Sequence, residues 1–332
     1  MAQLQGLGIS KAFDGHAILD DVSVSVDPSE FLVIVGRSGT GKSTLLRVLA
    51  GLEQQDTGIV SLDGEILPPP QGKLVRGHED IQIAHQGFEL HPHMSAKENI
   101  ERGLLAYQPD YRAHRTTRLL ALADLQHATK SKPRELSGGQ QQKLAIATAL
   151  ATEPKVLLLD EPFSNLDPFS RDAFLQEIKQ NAAEMETSVI LVTHDTREAL
   201  SVADRLLVLE GGRISQEGSP EDIYQSPRTP SVADFFGRVN YFSRAQAQEL
   251  WPELVVDERV RSIGFRPEAL RIVDDGPLKG EVAAVSYQGG NYMVTVACQE
   301  REQLFVIGSD RMATGSEVSC DILARQCMYF RS

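Results

Sequence analysis

One stretch limits the possible folds more than any other: Phe31-Leu-Val-Ile-Val-Gly36-Arg-Ser-Gly-Thr-Gly41-Lys42-Ser43-Thr44. It reads as a short apolar strand, a Gly-x-x-x-x-Gly-Lys-Ser loop, and a helix from about Thr44. Gly36, Gly39 and Gly41 open backbone dihedrals closed to other residues, so successive N–H groups can curl around a phosphate. The helix over residues 43–50 aims its free N–H groups and positive dipole end at the same anion. Lys42 adds a full charge for the β and γ phosphates, and the Ser43 hydroxyl can ligate Mg²⁺. Strand before and helix after is the context this loop needs, so the chain binds phosphate.

Two later runs repeat the strand-then-polar design. Val156-Leu-Leu-Leu-Asp160-Glu161 is continuously apolar, as a strand of a buried parallel sheet must be, and it closes on two carboxylates. The C-terminal edge of such a sheet faces the ligand crevice. Adjacent residues of a strand point to opposite sides, so the two acids take different jobs: Asp160 for Mg²⁺, Glu161 for the attacking water. Val189-Ile-Leu-Val-Thr193-His194 ends in a histidine placed to touch a γ-phosphate. Leu136-Ser137-Gly138-Gly139-Gln140 opens a helix and forms a second anion cradle. Residues 95–152 read as helical with a break at 131–133, which suggests a helical subdomain inserted into an α/β pattern. Residues 1–30 alternate as strands around a turn at Asp14-Gly15, and Phe13 just before it fits a hairpin core. Residues 206–214 form a hairpin with a Gly-Gly turn.

The chain has 332 residues and a net charge of −13. That acidity argues against a nucleic-acid partner, which calls for a basic face. No apolar run approaches the ~20 residues that span a bilayer. The first residues lack a basic start and an apolar signal core, so export is not expected. Cys298, Cys320 and Cys327 show no ligand spacing. We expect a reduced, cytoplasmic protein without a disulfide or zinc site. Pro227, Pro230 and Gly237 punctuate a junction, after which short strands suggest a small five-stranded barrel. The expected organisation is a phosphate-binding α/β domain over 1–230 with its helical subdomain at about 87–152, a linker at 231–243, and a β domain over 244–332.

Together these residues resemble the ATP-hydrolysing subunit of an ABC transporter, over essentially the whole chain. Residues 36–43 match the Walker A loop, 136–140 the ABC signature, 156–161 the Walker B strand with its acid, and 164–167 the D-loop. Gln86 matches the Q-loop glutamine, His194 the switch histidine and Phe13 the aromatic that stacks on adenine. The resemblance implies an α/β P-loop NTPase followed by an all-β, OB-like module. It implies ATP held by Phe13, Gly36, Arg37, Ser38, Gly39, Thr40, Gly41, Lys42, Ser43, Thr44 and Gln86. Mg²⁺ would sit on Ser43, Gln86 and Asp160, with Glu161 and His194 catalytic. Ser137, Gly138, Gly139 and Gln140 would act on the nucleotide of a second copy, in a homodimer.

Residues 195–227, Phe235-Phe-Gly-Arg-Val-Asn240 and Ile263-Gly-Phe-Arg-Pro-Glu268 are similar to binding-protein-dependent importers with a C-terminal TOBE domain. That implies permease subunits, a separate solute-binding protein, and a place on the cytoplasmic face of the membrane. Ferric iron is the first cargo implied, with sulfate and polyamine beside it. The sequence departs from the family at His85, His91, Lys143 and Thr148, and His85, His91 and His93 raise a metal reading that no carboxylate or cysteine completes. Three rivals share part of the pattern. A P-loop kinase or GTPase leaves residues 136–140 unexplained, and a non-transport ABC ATPase would act on a macromolecule. A binding module without turnover conflicts with Asp160, Glu161 and His194.

Overall fold

The computed structural model describes residues 3–70, 77–84, 90–163, 166–298, 301–323 and 327–331. The chain divides into two compact units, Met1–Pro220 and Glu221–Ser332. In the first unit the strands are β1 (Leu4–Phe13), β2 (His16–Val26), β3 (Phe31–Val35), β4 (Thr57–Leu62) and β5 (Glu65–Ile66). They continue with β6 (Ile81–Ala84), β7 (Val156–Asp160), β8 (Ser188–Thr193), β9 (Arg205–Glu210) and β10 (Arg213–Gly218). The helices are α1 (Lys42–Leu49), α2 (Ala96–Arg102), α3 (Pro109–Leu122), α4 (Gly138–Ala151), α5 (Pro168–Glu184) and α6 (Thr196–Val202).

Among the described residues the first unit holds two sheets, β2-β1-β4-β5 and β10-β9-β3-β8-β7-β6. The first is antiparallel; the second is parallel except for its β9–β10 hairpin. Every residue of β3 and β8 is buried, because a parallel sheet is covered on both faces. On one face Leu32, Ile34, Leu158, Ile190 and Val192 pack with Leu45 and Leu49 of α1 and with Leu4, Ile9 and Val22 of the antiparallel sheet. This one core fixes the start of α1 against the ends of three strands. The register aligns Val35 with Thr193 and Asp160 with Val192, so the polar residues after β3, β7 and β8 emerge side by side.

Helices α2, α3 and α4 form the helical part, each entered by a sequence-local device. Ser95 and Ser137 cap α2 and α4, with Glu98 and Gln140 completing capping boxes, and α3 starts at Pro109. Asn99, 1% exposed, ties down the preceding loop. Its amide donates to the carbonyls of His91, Met94 and Ser95, and its Oδ1 accepts from His91 N at 2.8 Å.

The second unit carries α7 (Pro220–Gln225, its first residue in the other unit), α8 (Pro230–Phe235), β11 (Asn240–Ser243), α9 (Arg244–Leu250), β12 (Ser262–Phe265) and β13 (Leu270–Val273). It continues with β14 (Leu278–Tyr287), β15 (Tyr292–Cys298), β16 (Arg301–Gly308), β17 (Glu317–Ile322) and β18 (Cys327–Phe330). Among the described residues its strands form a three-stranded sheet, β11-β12-β18, and a five-stranded one, β13-β17-β14-β15-β16. The stretch 231–243, read from sequence as a linker, carries most of α8 and all of β11. β11 forms by antiparallel pairing with β12, and the end of α8 is organised by Arg266, 5% exposed, whose guanidinium donates to the carbonyls of Ala233 and Gly237 and lies 4.3 Å from the Tyr224 ring centroid. One buried cation thus satisfies the C-terminal end of α8.

Phe242, Trp251 and Phe265 pack as an aromatic triangle with centroids 5.2–5.7 Å apart, and Trp251 Nε1 donates to Asp321. Trp251 is the chain's one tryptophan, so its fluorescence reports the second unit alone. Phe265→Ala is expected to cost that unit about 3–5 kcal/mol, seen as an earlier Trp251 transition in denaturant. An unshifted transition would remove Phe265 from the core.

Candidate phosphate-binding and catalytic site

The loop between β3 and α1 is shaped by close backbone approaches. A Cβ on Gly36 would lie 2.3 Å from the Leu209 carbonyl oxygen. Gly41 caps α1 at φ 98°, with the Ile18 carbonyl 2.7 Å from where a Cβ would sit. Only glycine meets both conditions. Arg37, Ser38 and Gly39 stay exposed, and Thr40 Oγ1 turns inward to donate to Arg37 O at 2.9 Å. The N–H groups that open α1 have no side-chain cap, which leaves the helix entrance suited to an anion.

Lys42 is 5% exposed and donates to the carbonyls of Gly36 and Arg37 at 2.8 and 3.1 Å. Burial lowers its pKa, opposed by the nearby Glu161 and Asp160 carboxylates. A buried ammonium facing two acids is poised for a ligand that brings further negative charge. Ser43 Oγ donates to Asp160 Oδ1 at 2.9 Å. Adjacent oxygens around a Mg²⁺ ion with bonds of 2.0–2.1 Å lie about 2.9 Å apart. These two hard oxygens therefore suit Mg²⁺, a metal that takes one or two protein oxygens and completes its shell with water and substrate phosphates. Among the described residues no group of three or more His, Cys, Asp or Glu side chains forms a further metal cluster.

Glu161 follows β7 at φ 46°, and its N–H still donates to Val192 O at 3.0 Å. The left-handed backbone turns the chain out of the sheet while the ladder holds its base. His194 Nδ1 meets Glu161 Oε1 at 3.2 Å, with the histidine side chain 62% and the glutamate 27% exposed. A carboxylate oriented by an imidazole beside a phosphate loop can polarise a water.

Other sequence-predicted residues lie apart. Ser137 Oγ accepts from Gln140 N at 3.2 Å, and Gly138 and Gly139 begin α4, which packs on α2, α3 and β6. Among the described residues no hydrogen bond or ion pair joins Ser137–Gln140 to residues 36–44 of the same chain. Phe13 is 44% exposed at the end of β1, with Lys11 Nζ 4.9 Å from its ring centroid, so it presents an open face instead of filling a hairpin core. Thr44 is half-buried in the first turn of α1. Gln86 and His85 fall outside the described residues, as do Ser164 and Asn165.

Residues 19–164 match the sequence model of the ABC transporter family and residues 263–330 that of the TOBE domain. The chain is 36% identical over 322 residues to the "Uncharacterized ABC transporter ATP-binding protein YdcT" of Escherichia coli K12, covering 96% of this chain and 92% of that one. It is 34% identical to the Fe(3+) ions import ATP-binding protein FbpC of Agrobacterium fabrum, covering 94% and 92%. With the spermidine/putrescine import ATP-binding protein PotA of Vibrio parahaemolyticus it shares 36% identity, covering 85% and 80%. Among solved structures it is similar to the ATP-binding cassette MJ0796 in a dimeric post-hydrolysis state bound to ADP and Pi. The TM-score is 0.58 at 30% identity, covering 65% of this chain and 98% of that one.

Proposed function

The chain belongs to the ABC transporter ATP-binding family, and from that premise we propose that its ATPase activity powers solute import through Lys42, Ser43, Asp160, Glu161 and His194. The observation that carries this reading is the convergence of two pairs, Ser43 with Asp160 and Glu161 with His194, at the ends of adjacent parallel strands. Backbone N–H groups over 36–44 and the Lys42 ammonium hold the phosphates. Ser43, Asp160 and Gln86 would hold Mg²⁺, which would neutralise charge on the phosphate oxygens. Glu161 accepts a proton from the attacking water, and His194 fixes that carboxylate and reaches the terminal phosphate. Phe13 offers its exposed face to adenine.

Ser137, Gly138, Gly139 and Gln140 serve the nucleotide of a second copy, because their helix entrance is an anion cradle with no phosphate loop of its own. A homodimer then closes around ATP and opens after hydrolysis. Two substitutions separate capping from this role. Ser137→Ala is expected to cost about 1 kcal/mol through the lost cap. Ser137→Asp keeps a capping oxygen, yet sets a carboxylate where phosphate belongs, so it should stay folded and lose hydrolysis more than about tenfold. Phosphate release and denaturation curves measure both; full hydrolysis by Ser137→Asp would take residue 137 out of the site.

The import reading draws on what FbpC and PotA are named for, and on the TOBE match. Among the described residues no helix is long and apolar enough to cross a membrane. On the import reading the chain works with membrane-spanning permease subunits and a separate solute-binding protein. Its place is the cytoplasmic face. Ferric iron is the cargo we put first, on residues 233–240, followed by sulfate and polyamine. Capturing the Glu161→Gln chain from detergent-solubilised membranes tests this. A multi-span integral membrane protein should co-purify; ribosomes or nucleic acid in its place would favour the non-transport alternative.

A further inference from the structure

Arg171 lies in the first turn of α5, whose N-cap is Asp167. Its side chain is 20% exposed and draws three segments together. Nη1 meets Asp195 Oδ2 at 2.8 Å and Glu198 Oε1 at 3.0 Å, while Nη2 donates to Leu166 O at 3.4 Å. Glu198 is 5% exposed on α6 and accepts from Thr193 Oγ1 at 2.6 Å. That same hydroxyl accepts from Asp195 N at 3.0 Å. Asp195 Oδ1 in turn accepts from the N–H groups of Arg197 and Glu198.

The residues on both sides of His194 are therefore pinned to one network, buried at Thr193 and Glu198 and half-buried at Arg171 and Asp195. His194 itself is mostly exposed, and among the described residues its hydrogen-bonding partner is Glu161. With the imidazole this exposed, the backbone at 193 and 195 sets much of its position. Burial raises the pKa of Glu198, and the Arg171 charge and the Thr193 hydrogen bond oppose that shift. Without Arg171, a buried acid would lose the charge that keeps it in place.

We propose that Arg171, acting through Glu198 and Asp195, positions His194 against Glu161 and ties that geometry to the backbone at Leu166. Arg171 is a positioning residue: it touches no substrate group, and it makes the entrance of α5 and the β8–α6 turn move as one. The inference rests on the roles given above to Glu161 and His194, and the test separates the two.

Arg171→Ala, Arg171→Lys and Glu198→Gln are made in the natural chain and in His194→Ala, and steady-state phosphate release over a range of ATP concentrations gives kcat and KM. In the natural chain Arg171→Ala should lower kcat about tenfold or more with KM within about twofold, and Arg171→Lys should recover part of the loss. With His194 already removed, Arg171→Ala should cost less than about a further twofold, the non-additivity of groups acting as a unit. Unchanged kcat in Arg171→Ala, or a full tenfold loss repeated without His194, overturns the proposal. If Arg171→Ala fails to fold, Glu198→Gln, which keeps an acceptor for Thr193, answers by the same comparison. Undiminished turnover in His194→Ala would overturn the site reading itself, and this inference with it.

Discussion

Glu161→Gln is expected to cut phosphate release by about 10²–10⁴-fold, the usual contribution of a positioned base, while ATP binding stays intact. The amide is nearly the same size and still accepts a hydrogen bond, so the contact with His194 survives in a neutral form. What it loses is the ability to take a proton from water. The backbone at residue 161 is set by the left-handed φ and by the bond to Val192 O, neither of which depends on the carboxylate. Binding and turnover should therefore separate. ATP binding by equilibrium titration and phosphate release by a coupled assay read the two. Equal losses in both would mean that Glu161 holds nucleotide and is no base.

Lys42→Ala carries the second large effect, on affinity. The ammonium lies 2.8 and 3.1 Å from two backbone carbonyls, so part of its donor capacity stays with the loop and the rest is available to phosphate. Hydrogen bonds to charged groups are worth about 1.5–3 kcal/mol each, so loss of one predicts ATP binding weaker by about 10- to 100-fold. The cost falls on the phosphates, and adenosine should be held as before. Titration with ATP and with adenosine checks this; an ATP affinity unchanged in Lys42→Ala would remove the lysine from the phosphate site.

The fold class was legible because its signals are local. Glycines at fixed spacing before a helix, and apolar runs ending in Asp160-Glu161 and Thr193-His194, each state a strand, a turn and a polar tip within ten residues. The parallel register then brings those tips together without further instruction. Other features were hidden because their partners are distant in sequence. Arg171 and Glu198 look like charges on the solvated faces of two helices, and only the packing of α5 beside α6 buries them together. Pro227, Pro230 and Gly237 suggested a linker, and the donor that organises that stretch, Arg266, lies on another element. Nothing in the sequence marks Asn99 out, although its amide closes the loop before it. Phe13 had a core reading as good as any other until its ring proved open to solvent.

The most direct test of the shared site is the mass of the Glu161→Gln chain by light scattering, with and without saturating ATP and Mg²⁺. The account predicts one chain's mass without nucleotide, two with it, and a return to one when Ser137→Asp is added. A mass that stays at one chain in ATP, or a doubling that survives Ser137→Asp, would contradict it.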